Sequence, residues 1–462
     1  MPPSSEKAAT IDSRAIFYGD DDGSWVIRDS RLNSTTATIA GKVSPGPPID
    51  GGARAWLFML GAFVIEAVMW GFPLSFGIFA AHYRDLPQFR DDRSIPVIGT
   101  LATGIPFLGA PFITPLMGRW HNYRRQMIWA GWLTCAGSLL AASFATKPWH
   151  LVVTQGVAYG LGFLVLYYSL LSMLNEWWVK RRGLAYGVIF AAAGISGVGL
   201  PYLIQVLLHR FGFANTLRAY AVAILALVGP ILPLCAGRIT ERDPQPSTPL
   251  DWETIKNPLF WAFSFANLFQ GLAFYLPGIY LPSFAQALAL TPSQGALLLC
   301  FLNGSQVAGQ VLVGWASDWV NVVTLLMVTT LFPAILAGVL WYLASRFEHM
   351  VIFSLLFGLL AGGFSVLWPR FISLLSDEPT TSLWLYGLLA FQRGLGSVSS
   401  GPLSAGLLKL EIIKGSTNPA DSYKVLILFV SICLFISAFG GVAYFFPQRK
   451  DSQASVRAES PL

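Results

Sequence analysis

Two charged residues lie within apolar stretches of the chain, where a charge is costly and therefore informative. Glu66 stands in the run EAVMWGFPLSFGIF, and Arg393 stands in the run FQRGLGSVSSGPLSAGLL. A charge at such depth usually faces a partner or a water-filled cavity. Glu66 could carry a coupled proton, because burial lets a carboxyl alternate between charged and neutral forms. Arg393 could hold an anionic group of a solute, and a structural contact between helices is the alternative for both.

Amide side chains recur at helical spacing in two other apolar stretches. Asn303, Gln306 and Gln310 fall at positions i, i+3 and i+7, and Asn267 and Gln270 lie three residues apart. With an aromatic wall of Trp70, Phe72, Phe274 and Tyr275, they predict a cavity for a larger, partly apolar solute. The alternative is that these amides bond between helices and hold a bundle together. The predicted solute-binding residues are Glu66, Trp70, Asn267, Gln270, Tyr275, Asn303, Gln306, Gln310 and Arg393.

The sequence offers no constellation typical of catalysis. Its four cysteines all fall in apolar runs without paired spacing, and its five histidines lie at the ends of such runs or in loops. Nucleophile elbows, phosphate-binding glycine loops and paired carboxylates do not stand out. We therefore predict no catalytic residues, no metal site and no cofactor, and an intramembrane enzyme is a weak alternative.

The elements that must position these residues follow from composition. The chain has 462 residues, of which 54% are hydrophobic and 12% are charged, far below the roughly 25% charged content of soluble domains. A membrane-spanning helix needs about 20 mostly apolar residues. Twelve such runs are present, at about 55–79, 95–117, 126–145, 149–174, 183–208, 215–237, 258–283, 294–316, 322–344, 350–373, 383–408 and 423–446.

The twelve runs divide into two sets of six around a polar segment. We predict an all-α membrane protein with the following parts: a disordered cytosolic tail over 1–53, a six-helix bundle over 54–238, a cytosolic linker over 239–257, a second six-helix bundle over 258–447 and a short cytosolic tail over 448–462. Lys and Arg in short loops favour this orientation, with both termini inside. The adjacent bases Lys180, Arg181 and Arg182 are interpreted first as a topology anchor. The net charge of +6 then needs no nucleic acid partner.

Small residues and an internal correspondence favour two moving halves. Gly194 and its neighbours in AAAGISGVG allow close backbone approach between helices. Glu66 precedes Pro73 by seven residues, and Gln270 precedes Pro277 by the same interval. Polar residues at matching places in two halves are expected of a midplane site in a transporter built from repeats.

Three longer stretches resemble the major facilitator superfamily, and within it the monocarboxylate transporter-like branch, especially its fungal members. They are DGGARAW from Asp50, the run WWVKRRGLAYGVIFAAAGISG from Trp177, and the run that contains Arg393. The resemblance spans most of residues 50–446 and implies the 6+6 major facilitator fold. The family signature maps onto Asp50, Gly51, Gly52, Lys180, Arg181, Arg182, Gly187 and Gly194.

The chain departs from the family at the positions that hold a small carboxylate. The family's proton-coupled lactate carriers use a Lys in span one and an Asp and an Arg four apart in span eight. Leu74, Gln306 and Gln310 stand at the corresponding positions here. A neutral amide binds a carboxylate about half as strongly as a charged guanidinium does. The resemblance and this departure together predict a secondary transporter for a larger organic solute or a secondary metabolite, not for lactate.

Several alternatives stay open at this stage. A monocarboxylate or other organic acid, held by Arg393, is the main alternative substrate, and a receptor with a transporter-like fold is a third interpretation. We expect a multi-pass protein of the plasma membrane whose partners are the lipid bilayer, a small-molecule substrate and protons coupled through Glu66, with facilitated diffusion as the competing mechanism. Import and export are equally compatible with these residues.

Overall fold

The computed structural model describes residues 16–19, 25–28, 48–89, 94–238, 252–376, 378–408 and 419–441. In the N-terminal segment, strands β1 (Ile16–Gly19) and β2 (Trp25–Arg28) pair antiparallel. Both strands lie within residues 1–53, the segment for which the sequence predicts a disordered tail. The rest of that tail before Pro48, most of the predicted linker and the C-terminal tail lie outside the described residues.

From residue 49 onward the described elements are helices that form one compact unit. The helices of the first half are α1 (Ala53–Asp85), α2 (Ile95–Leu108), α3 (Ala110–Arg119), α4 (Arg124–Ala142), α5 (Pro148–Trp177), α6 (182–211) and α7 (213–234). After the short α8 (Trp252–Lys256), those of the second half are α9 (Pro258–Ala287), α10 (Pro292–Ser317), α11 (Val322–Trp341), α12 (Phe347–Leu375), α13 (Pro379–Leu407) and α14 (Lys424–Ala438).

The boundary between α6 and α7 is a reversal of the chain at Gly212. Its φ of 72° and ψ of 174° lie outside the helical region, and glycine reaches a positive φ without steric cost. Ser196 and Tyr220 would lie roughly 36 Å apart along a straight helix. Their hydroxyls nevertheless donate to the carbonyls of consecutive residues of α1, Ala67 and Val68. The chain must therefore fold back at Gly212, so that α6 and α7 are two spans.

The described helices account for the twelve predicted spans. Eight are long and apolar enough to cross a membrane when α6 and α7 are taken as one, and nine if α2 and α3, bent by 45°, form a single span. The reversal at Gly212 brings the number to ten. Helices α4 and α13, with 19 and 29 residues, occupy the two remaining apolar runs. The all-helical 6+6 architecture predicted for the bundle is confirmed.

Local sequence sets several helix starts in the second half. Asn257 and Asn321 each accept a hydrogen bond from the backbone two residues on, at the starts of α9 and α11. Thr291 and Gln294 form a reciprocal capping box at the start of α10. These caps satisfy N–H groups that would otherwise lack partners, and they fix where the spans begin.

The two halves meet along two pairs of neighbouring helices. Helix α6 packs against α1 of its own half and against α10 of the other, while α13 packs against α2 and α3. Close approach depends on glycine, since a Cβ added at Gly187 would lie 2.5 Å from the Gln310 carbonyl oxygen. A Cβ at Gly387 of α13 would lie 3.0 Å from the Ala110 carbonyl oxygen. Small residues thus bring backbones from opposite halves into contact, as packing in lipid requires.

Candidate functional site

The predicted carboxylate of α1 is fully inside the protein. Glu66 is 1% exposed, and the indole Nε1 of Trp70 donates to its Oε1 at 2.8 Å. The two residues are four apart, so they lie on one face of the helix. The second oxygen, Oε2, has no hydrogen-bond partner. A buried carboxyl with one oxygen unsatisfied is free to bind a proton or a solute group there.

Aromatic residues connect Glu66 with the second half. Trp70 lies edge-on to Phe163, with ring centroids 5.1 Å apart, and is 5.5 Å from Phe107. The hydroxyls of Tyr167 in α5 and Tyr386 in α13 lie 3.4 Å apart across the boundary between the halves. The tyrosine hydroxyls are an addition to the predicted site, and their only signal in the sequence is a polar group in the middle of an apolar run.

Arg393 is buried between α9 and α13. It is 2% exposed, and its guanidinium carbon lies 4.5 Å from the ring centre of Phe274 and 5.4 Å from that of Tyr275. Such stacking stabilises a desolvated cation by about 2 kcal/mol or more. The nitrogen Nη1 has no hydrogen-bond partner, and no carboxylate of the described residues forms an ion pair with Arg393.

The amides of α9 lie on the face that packs against α13. Asn267 Nδ2 donates to the Leu389 carbonyl at 2.7 Å, so part of this side chain bonds between helices, as the structural alternative supposed. Asn267 Oδ1 has no partner. Gln270 is 0% exposed, and neither its oxygen nor its nitrogen has a partner. Gln270 is the least satisfied amide among the predicted site residues.

The amides of α10 do not form the continuous cavity wall that their spacing predicts. A Cβ at Gly362 of α12 would lie 2.5 Å from Gln306 Cγ, so Gln306 packs on α12. A Cβ at Gly194 of α6 would lie 3.7 Å from Gln310 Oε1, so Gln310 faces α6 instead. Asn303 is partly buried. Neighbouring positions on one helix face can thus contact different helices.

Phe72 does not belong to the aromatic wall that the sequence predicts. It is completely buried in the core of the first half, where its ring centroid is 4.9 Å from that of Tyr159. It therefore packs within one half rather than lining a cavity between them. Leu74, which replaces the family's lysine, is exposed.

The surroundings of Glu66 and Arg393 meet at one place, which we call the central junction and define by Trp70, Phe107, Tyr167, Tyr386 and Arg393. A Cβ at Gly394, the residue after Arg393, would lie 2.7 Å from Phe107 Cβ. Phe107 in turn contacts Trp70. One aromatic side chain thus connects the partner of Glu66 with the backbone beside Arg393.

One end of the boundary between the halves is held closed by a carboxylate. Asp318, directly after α10, accepts hydrogen bonds from the backbone N–H groups of Gly183 and Leu184 at 2.9 and 3.0 Å. These groups lie in the first turn of α6, where an anion is favoured. Arg370 approaches the same carboxylate to 3.6 Å. Burial raises the pKa of Asp318, while the two backbone donors and Arg370 oppose that shift.

The opposite end of the same helices is looser. Gly187 and Gly387 contact the other half, but a Cβ at Gly199 or Gly401, further along the same helices, would have nothing within 4 Å. Contact between the halves is thus close at the Asp318 end and absent at these two glycines, although Val398 of α13 still lies 3.6 Å from a Cβ added at Gly104 of α2.

The family signature residues from two separate stretches bond to each other. The Asp50 carboxylate accepts hydrogen bonds from the backbone N–H groups of Val179, Lys180 and Arg181 at 2.8 to 2.9 Å. Gly52 adopts a φ of 84°, which favours glycine. The basic stretch therefore contributes backbone donors that fix the start of α1 against the start of α6.

A bundle of apolar helices in two halves, with a buried carboxyl and a buried guanidinium beside their boundary, matches the architecture of a membrane carrier. The model of the Major Facilitator Superfamily matches residues 55–401. The chain belongs to this superfamily, and it is a secondary transporter of small organic solutes or metabolites rather than an enzyme.

Fungal relatives agree with this assignment. The chain is 25% identical to the MFS transporter asaE of Aspergillus flavus over 414 residues, covering 88% of this chain and 90% of that protein. It is 26% identical to the MFS-type transporter pynF of Aspergillus niger, covering 83% and 88%. It is also 26% identical to the probable transporter MCH2 of Saccharomyces cerevisiae, covering 88% and 83%. The predicted resemblance to the fungal members of the superfamily is thus confirmed.

A solved structure shares the fold. The human organic anion transporter MFSD10 superposes with a TM-score of 0.61 at 13% identity, covering 84% of this chain and all of that one. At this identity the likeness supports the fold alone.

Proposed function

We propose that this carrier couples solute movement to protons through Glu66. The observation that carries the proposal is the buried Glu66 carboxyl, which has one oxygen bonded to Trp70 and the other without a partner. A charged carboxylate in that position is costly, so the helix bundle can move most readily when the group is protonated or paired. Binding and release of a proton would then accompany each transport cycle.

The substrate we favour is a larger organic solute, such as a secondary metabolite. Leu74 replaces the fixed cation of the lactate carriers, and Gln306 and Gln310 replace their Asp and Arg. The aromatic groups of the central junction supply apolar contact area. Solutes with an apolar body and a few polar atoms match such a lining.

A smaller organic acid is the second candidate. Arg393 is buried and forms no ion pair with a carboxylate of the described residues, so it offers a positive group to a carboxylate of the solute. Lactate or pyruvate could therefore bind at Arg393 without the residues missing from span eight.

We further propose that the cycle passes through the arrangement seen here. Basic residues in the short loops support an orientation in which the Asp318 end and both termini face the cytosol. Closure at that end and looser packing at the other correspond to a carrier whose central junction is approached from outside. We also propose that the carrier lies in the plasma membrane.

Flux measurements in proteoliposomes test this function. Labelled lactate and pyruvate would be compared with larger neutral and acidic metabolites, each with and without an imposed proton gradient. We expect saturable flux of a larger solute that increases when the gradient is applied. Flux that is confined to lactate and pyruvate would support the second candidate, and flux indifferent to the gradient would refute proton coupling.

A further inference from the structure

Arg393 is a buried cation that has no counter-charge among the described residues. No carboxylate of the described residues pairs with it, and the guanidinium is buried against Phe274 and Tyr275. Nη1 has no hydrogen-bond partner. A buried charge that is neither paired nor fully hydrogen-bonded is costly, which is why such groups in membranes commonly contact an ion or a substrate.

Gln270 adds a second unsatisfied group at the same helix contact. It lies four residues before Phe274, so both side chains project from the face of α9 that packs on α13. A Cβ at Gly271 would lie only 3.1 Å from the Arg393 carbonyl oxygen, so the two backbones meet at this level. Both polar atoms of Gln270 are buried without partners. An oxyanion accepts hydrogen bonds from guanidinium and amide N–H groups.

We propose that Arg393 and Gln270 form an anion subsite, which binds the acidic group of a larger organic acid. This inference rests on the proposed transport function and assigns the charge class of its substrate. The apolar body of the acid would lie against Phe107 and Trp70, because Phe107 contacts both the backbone beside Arg393 and the indole. The subsite differs in position and residue types from the span-eight pair that this chain lacks.

Paired acids and amides of equal shape provide the test. The detergent-purified full chain would be titrated with 1-naphthoate and 1-naphthamide, and with indole-3-acetate and indole-3-acetamide, while its thermal unfolding is followed. Acetate and chloride would serve as small anions. We expect at least one of the two aromatic acids to raise the unfolding temperature by about 2 °C or more at saturation, while its amide has a smaller effect.

Variants then assign the effect to the subsite. Arg393→Met should weaken the apparent affinity for the acid at least about tenfold, whereas Arg393→Lys should retain part of it because the charge remains. Arg218→Met is a matched control, since the Arg218 guanidinium also stacks on a phenylalanine, Phe144, at 4.7 Å, but not at the central junction. It should bind the acid as the wild type does.

Three results would overturn the subsite. They are equal stabilisation by acid and amide across both pairs, unchanged acid affinity of Arg393→Met, and stabilisation by acetate or chloride equal to that by the aromatic acids, which would indicate an inorganic or small anion site. Because binding in detergent involves no gradient, acid binding can persist while proton-driven flux fails. That combination would refute the coupling through Glu66 and leave the subsite intact.

Discussion

The first half and the second half hold different kinds of ionisable group at and beside the central junction. The first half supplies Glu66, a carboxyl that can gain and lose a proton, held by Trp70 at 2.8 Å. The second half supplies Arg393, a guanidinium that stays charged at every physiological pH, held by two aromatic rings. The difference suggests a division of work, in which the first half responds to protons and the second half binds the solute.

Replacing Arg393 should have the largest effect on solute binding. Arg393→Met removes charge-assisted hydrogen bonds to the solute, a loss of at least about 1.4 kcal/mol or tenfold in apparent affinity for transport. Solute-exchange rates in proteoliposomes at concentrations below saturation would show it. If Arg393→Met exchanged solute as the wild type does, the second half would have no special part in binding.

Gln270 and Gln310 of the second half should contribute differently to solute affinity. Gln270→Leu removes an amide that has no partner in the empty protein, so folding should be unharmed while the affinity for solute falls about tenfold. Gln310→Leu is the matched change at an amide that faces α6, and its effect should stay within about twofold. Concentration dependence of exchange for both variants would check this order, and equal losses would contradict it.

The hydrogen bonds of Asp318 to α6 join the two halves away from the proposed solute site. Asp318→Ala removes the acceptor of two backbone hydrogen bonds from α6, so the closed end should open about three- to fivefold more often. Burial of its charge raises the pKa of Asp318, and Asp318→Asn avoids the cost of that burial. The variant also keeps one acceptor oxygen. Its closed end should therefore open at a frequency closer to that of the wild type.

Labelling at the closed end would measure this opening. Ser382 lines a small cavity with Asn175, Tyr186 and Tyr386. A maleimide reagent should modify Ser382→Cys faster when combined with Asp318→Ala than when combined with Asp318→Asn. Identical labelling rates would show that Asp318 does not hold the halves together.

The sequence predicted the spans and the two buried charges because both follow from the cost of polar groups in lipid. Run length predicted the helices that the structure describes, and Glu66 and Arg393 are both buried inside the bundle. Helix rotation was harder to predict, since a spacing of three or four residues defines a face but not the neighbour that meets it. Gln306 and Gln310 share a face and contact different helices for that reason.

Contacts between distant segments were beyond reach for the same physical reason. The hydrogen bonds of Asp50 join residues about 130 positions apart, and the sequence indicated only that both stretches resemble a family signature. Phe72 was predicted to line the cavity together with Trp70, Phe274 and Tyr275, yet it packs in the core of its own half. Trp70 and Phe72 are two positions apart, and two positions on a helix turn a side chain by about 200°, which separates the two environments.

Transport by the Glu66→Gln variant in proteoliposomes is the most direct test of whether Glu66 couples the carrier to protons. Glutamine keeps the shape of a protonated glutamate and cannot release a proton. We predict that the variant exchanges solute between the two sides at a rate close to the wild type but no longer accumulates solute when a proton gradient is imposed. Gradient-driven accumulation equal to that of the wild type would refute proton coupling through Glu66.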